Sequence, residues 1–148
     1  MDIIDVTKKE QWERFKLEMA RLEQECFEDD SYFPDELFEN LEKSIYITVG
    51  LTEENKIVSY AAVETDPDGH VYIWSLAVDV EHRGQKIGEK MINDILNHFP
   101  DTPVRLMVRQ NNFPAIKIYE RCGFVPYGIQ ISAYVHGESG ILMESSNT

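Results

Sequence analysis

The sequence predicts a single α/β domain covering residues 1–148, a mixed and mostly antiparallel sheet flanked by helices. Three observations predict it. Apolar residues recur at helical spacing in the first third, change to strand-like runs in the middle, and alternate between the two periods toward the end. The run Val71–Val78, VYIWSLAV, is almost continuously apolar, as in a strand covered on both faces. The chain is 148 residues long, with 43% hydrophobic and 28% charged residues, so it can bury one core without staples and is too apolar for disorder.

The predicted order is β-α-α-β-β-β-α-β-α-β-β. Residues 2–6 (DIIDV) read as a short first strand. Thr7 with Glu10 three residues on forms a capping box, which predicts an unbroken helix to about Cys26. Trp12, Phe15, Met19, Leu22 and Cys26 give that helix its apolar stripe. Pro34 at a first helical position opens a second helix to about Lys43, with Asp35 and Glu36 in its first turn.

Residues 45–51 and 56–64 are β-rich runs joined by the turn TEEN. Asp66-Pro67-Asp68-Gly69 is a second turn, leading into Val71–Val78, and the three runs form an antiparallel meander. After the loop 79–85, Ile87, Met91, Ile92, Ile95 and Phe99 line one helix face. Residues 104–108 are a short strand. Pro114 marks the start of another helix and Gly123 its end. Residues 127–144 read as two strands joined at His136-Gly137-Glu138.

Composition narrows the partners. The formal net charge is −13, which disfavours nucleic acid and favours cations. Residues 1–44 carry fourteen acidic and six basic side chains, whereas residues 82–121 carry four and seven. The second segment could hold an anion inside an anionic protein. Asp29, Asp30, Asp35 and Glu36 could draw in a cation. No apolar run reaches membrane-span length, the start lacks a signal-peptide pattern, and the two cysteines form no CxxC pair. A reduced, cytoplasmic setting with neither membrane nor metal is the expectation.

Two segments carry chemistry. RGQKIG, residues 83–88, lies between a strand and a helix start, where unpaired N–H groups and the helix dipole favour a phosphate. Neither a Walker loop nor a GxGxxG fingerprint is present. A plain β–α turn with solvated lysines would satisfy the same pattern. In residues 106–124, Asn112 precedes a helix and Tyr119 lies on it. A capping asparagine and a core tyrosine are the simpler reading of these two.

Taken together the segments resemble the GNAT superfamily of N-acetyltransferases, and among them the ribosomal-protein N-terminal alanine acetyltransferases. Val71–Val78 followed by RGQKIG is similar to the family signature [RQ]-x-x-G-x-[GA]. Leu106 and Val108, then Asn112 and Ala115, then Tyr119, Gly123 and Phe124 match the later motif in register. The resemblance implies an acetyl-CoA co-substrate and an amine acceptor: a protein N-terminus, lysine, polyamine or small amine.

It implies that the backbone of Leu76, Ala77 and Val78 pairs with the pantetheine arm. The pyrophosphate would lie on Arg83, Gly84, Gln85, Lys86, Ile87, Gly88 and Glu89, and Asn112 and Ala115 would lie beside the arm. Val78 N–H would face the oxyanion and Tyr119 the departing thiolate. There are two departures from the family pattern. Lys86 stands where the signature has glycine. Tyr72 and Met107 stand where other members place a glutamate base, so Glu64 is the substitute, with His70, His136 and Glu138 as alternatives. A non-catalytic acyl-CoA-binding module on the same fold is the rival, and monomer and homodimer both remain open.

Overall fold

The computed structural model describes residues 1–146. The chain opens with strand β1 (Asp2–Asp5) and helices α1 (Lys9–Trp12), α2 (Lys16–Phe27) and α3 (Pro34–Lys43). Strands β2 (Tyr46–Leu51), β3 (Ile57–Thr65) and β4 (Val71–Val78) follow. Then come α4 (Ile87–His98), β5 (Val104–Arg109), α5 (Phe113–Arg121), β6 (Phe124–Gln130) and β7 (Gly140–Ser145). The strands form one sheet in the order β1-β2-β3-β4-β5-β7-β6. Only β4 and β5 are parallel. This is the expected fold class.

Two apolar layers hold the sheet. On one face Met19, Leu22, Leu37 and Leu41 of α2 and α3 pack on Ile47, Val49 and Ala62. On the other, Ile87, Met91, Ile92 and Ile95 of α4 pack on Val63, Val71, Ile73 and Leu106. Each fully buried side chain of this size contributes about 1.5–3 kcal/mol. The central strand β4 is covered on both sides, which is why its sequence is nearly all apolar.

Three elements differ from the sequence reading. The first helix is split in two. Arg14 and Phe15 donate to carbonyls three residues back, a tightened turn, before Met19 resumes the four-residue ladder. No proline or glycine marks this place. Thr7 does not cap α1, whose N-cap is Lys8. Its hydroxyl instead donates to Asp5 and accepts from the Ile47 N–H, tying the end of β1 to β2. The last two strands stop well short of the expected turn. β6 begins earlier, at Phe124 directly after Gly123, whose φ of 94° ends α5. Residues 131–139 form a long connection in which Gly137 N–H donates to the Tyr134 carbonyl.

Among the described residues no helix is long and apolar enough to cross a membrane. Cys26 and Cys122 are unpaired.

Candidate active site

The site begins where the sheet comes apart. β4 and β5 pair only at Val71–Val104 and Tyr72–Arg105. Beyond Tyr72 the strands diverge, while β5 goes on pairing with β7 to Arg109. A bulge adds to this. Ala62 faces Ser75 and Val63 faces Ile73, so Trp74 is an extra residue on β4. It reverses the alternation. Val71 and Ile73 face the α4 layer, but Ala77 faces the α2 layer and Leu76 and Val78 the α4 layer.

The ladder decides which backbone groups reach the wedge. Asp79 N–H donates to the Val58 carbonyl, which makes Ala77 and Tyr60 a hydrogen-bonded pair two residues on. Leu76 and Val78 therefore turn their N–H and C=O groups toward the wedge. Ala77, expected to share that role, has its backbone committed to β3 and its side chain to the α2 layer. The Val78 carbonyl accepts from Cys26 Sγ at 3.3 Å and from Arg83 Nε at 3.4 Å.

The wedge runs toward the start of α4. Gly84 (φ 86°) and Lys86 (φ 62°) are both left-handed, and Lys86 is the N-cap. The first bond into the helix runs from Lys90 N–H to the Lys86 carbonyl. The N–H groups of residues 84–89 donate to nothing among the described residues, so they form a rim of free donors at the positive end of the helix dipole. An added Cβ at Gly84 would meet no atom within 4 Å; its backbone conformation, not space, demands glycine. Gly88 has no such requirement, since a Cβ there would meet Val78 at an ordinary 3.8 Å.

The bases of residues 82–121 divide. Arg105 pairs with Glu144, Arg109 with Asp30 and Glu138, and Arg121 with Glu89. Arg83 folds back on Val78 and Cys26. Lys86, Lys90 and Lys117 have no ion pair among the described residues, and Lys86 and Lys90 supply free positive charge at the rim.

Lys86 is strained in its left-handed conformation. Lys86→Gly is expected to raise stability by about 0.5–1 kcal/mol. A higher midpoint of denaturant unfolding at unchanged slope would register this.

Asn112 caps α5, its side chain accepting from Ala115 N–H at 3.3 Å. Its amide nitrogen remains a donor. Ala115, Ile116 and Tyr119 of α5 pack on the α4 layer, and the Tyr119 ring lies 6.0 Å from that of Phe124. Burial pushes the Tyr119 hydroxyl up to about 12, so it stays protonated near neutral pH.

Tyr119 also lines a cavity of about 250 Å³ beside the wedge, with Glu64, Tyr72, Trp74, Ser75 and Met107. Burial raises the Glu64 carboxyl above its ordinary value; distant Lys43 opposes this and Asp66 adds to it. Glu64, on β3 opposite Tyr72 of β4, makes no side-chain hydrogen bond among the described residues.

The alternatives to Glu64 lie elsewhere. His70 is held between Asp66 and Arg105. His136 pairs with Asp29 at 2.8 Å and Glu138 with Arg109 at 3.0 Å. Asp30 accepts from the Val135 N–H and pairs with Arg109, which also stacks 4.4 Å from the Tyr134 ring centre. Asp30 is thus taken up by Arg109 of β5 rather than free to attract a cation, and Asp29 is hydrogen-bonded to His136, contacts that sequence distance alone conceals.

The sequence reading also missed Glu23. It is 2% exposed on α2, where it accepts from Tyr60 Oη at 2.6 Å, Ser75 Oγ at 3.2 Å and Tyr32 N–H at 3.0 Å. Its position four residues after Met19, on the buried stripe, was the available signal.

The chain is similar in sequence and in fold to known proteins. Over 90 residues the chain is 28% identical to the spermine/spermidine N(1)-acetyltransferase of Bacillus subtilis, covering 53% of this chain and 59% of that one. It is 28% identical over 109 residues to the N-terminal acetyltransferase B complex catalytic subunit NAA20 of Arabidopsis thaliana. That match covers 68% of this chain. The chain spans 62% of that subunit's length and 33% of an uncharacterized Mycobacterium leprae protein that it also matches. The crystal structure of the Escherichia coli ribosomal-protein-S18-alanine N-acetyltransferase superposes with a TM-score of 0.83 at 18% identity, covering 99% of this chain and 94% of that one. The profile of the acetyltransferase (GNAT) family matches residues 10–124, and with the splayed strands, the donor rim and the capped α5 all inside that stretch, the chain belongs to this family.

Proposed function

We propose that the chain transfers an acetyl group from acetyl-CoA to a primary amine. The observation that carries this reading is the wedge itself. It offers strand-like backbone groups from Leu76 and Val78, ends on free N–H donors at residues 84–89, and opens into a cavity walled by a hydroxyl and a carboxylate. An extended pantetheine arm with a pyrophosphate at its far end suits those groups in that order. Gly84 through Glu89 hold the pyrophosphate, with Lys86 and Lys90 beside it. The Asn112 amide and the Ala115 surface flank the arm.

Acetyl-CoA supplies an acyl group on a good leaving thiolate. The chain's own residues supply the rest. Glu64 takes the proton that the acceptor ammonium must lose before its lone pair can attack. The Val78 N–H donates to the carbonyl oxygen as negative charge gathers there. The Tyr119 hydroxyl gives its proton to the departing sulfur, and the second proton that the nitrogen sheds as the amide forms passes through water to restore that hydroxyl. The products are an amide and CoA with a free thiol. Relatives named for N-terminal and for polyamine acetylation support an amine acceptor of either kind.

The test is thiol release from acetyl-CoA over a panel of peptide N-termini, lysine peptides, polyamines and small amines. Acetyl-CoA binding without release from any amine would favour a non-catalytic acyl-CoA-binding module. Acetyl-CoA at about 100 times its dissociation constant is also expected to stabilise the fold by about 2.7 kcal/mol, read as a rise in melting temperature. A rise with ATP or NAD and none with acetyl-CoA would overturn the co-substrate.

A further inference from the structure

The cavity beside Tyr119 has a lopsided composition. Glu23, Asp30 and Glu64 line it, and no lysine, arginine or histidine does. Asp30 is taken up by Arg109. Glu64 stands near the surface of the wall. Glu23 differs from both. It is almost fully buried, and its three hydrogen-bond partners, Tyr60, Ser75 and the Tyr32 N–H, are all neutral. Burial disfavours the charged form there and raises the Glu23 carboxyl above its ordinary value, against the three hydrogen bonds, so a cation brought into the cavity would favour the carboxylate. Three donors hold that carboxylate in one orientation, and the aromatic rings of Tyr32, Tyr72, Trp74 and Tyr134 stand around the same space, surfaces that favour a cation.

We propose that Glu23 selects the acceptor: its carboxylate, held by Tyr60, Ser75 and Tyr32, binds a second positive charge carried by the acceptor beyond the amine that is acetylated. The inference rests on the acetyl-transfer reading above. Glu64 and Glu23 then have separate tasks, one taking a proton and one holding a charge. A neutral tail would leave the buried carboxylate hydrogen-bonded but without a counter-charge, and an acidic tail would be repelled by it. The preferred acceptor class is a diamine or polyamine, or a peptide whose second cation falls within the cavity.

The test compares putrescine with aminobutanol, which differ only in replacing the second ammonium by a hydroxyl. Their affinities are measured by calorimetry on the full chain with CoA present, so that no turnover intervenes. The wild-type protein is expected to bind putrescine about tenfold or more tightly than aminobutanol. Glu23→Gln is expected to level the two while binding CoA as the wild type does. A simple packing role for Glu23 would weaken both ligands alike. No wild-type preference, or a preference that survives Glu23→Gln, overturns the proposal.

Should Glu23→Gln melt without cooperativity, Glu23→Asp decides. It keeps the charge, so a retained preference supports the proposal and a levelled one overturns it. Thiol release by the wild type separates the two readings. No release from any amine defeats acetyl transfer and this inference together, whereas release with equal KM for both amines defeats only the role of Glu23.

Discussion

Tyr119→Phe is expected to lower kcat by about 10²–10⁴-fold, the effect of removing a positioned general acid. The hydroxyl oxygen is the only heavy atom lost. The ring still packs on the α4 layer and against Phe124, so melting temperature and acetyl-CoA affinity should hold close to wild type. Burial keeps the hydroxyl protonated with its pKa pushed up to about 12, so it can act as a donor throughout the neutral range. Steady-state kinetics with any active amine, alongside a thermal melt, checks the point. Wild-type turnover in the phenylalanine variant would reduce Tyr119 to a packing residue.

Glu64→Gln is expected to cost about as much, about 10²–10⁴-fold in kcat/KM, and to change the pH profile. A base works only when ionised. Burial raises the Glu64 carboxyl, so the rising limb of kcat/KM against pH should lie above the ordinary glutamate value. The variant should lose that limb, because glutamine does not titrate. An unchanged profile in Glu64→Gln would move the base to another group or to water. The two substitutions are separable: Tyr119→Phe should leave the Glu64 limb in place.

Much of the fold was legible because local chemistry and global packing agree. Pro34 does open α3, and Val71–Val78 is the central strand with the bounds that its apolar run predicts. The RGQKIG loop and the residues from Leu106 to Phe124 lie within the stretch that the family profile covers. The misreadings have a common origin. Thr7 has the right neighbours for a cap, but an N–H on β2, forty residues away, takes its hydroxyl. The split between α1 and α2 rests on two shortened backbone bonds that no breaker residue announces. Asp29 and Asp30 look like free surface charge until the 131–139 connection brings His136 to Asp29 and the end of β5 brings Arg109 to Asp30.

What the sequence by itself determined is the order of elements apart from the split in the first helix, the apolar face of α4, and the loop of free N–H groups ahead of α4. Each depends on spacing within a single element, and a period of two or of 3.6 residues can be read from a string. The tertiary structure alone decided where β4 and β5 part, that Trp74 is the extra residue which turns Leu76 and Val78 to the wedge, and that Glu23 ends in the cavity wall. Those outcomes depend on pairing register and on contacts between α2, β3 and β4. A one-residue slip in register changes which face every later side chain meets, and nothing within one strand records its partner's offset.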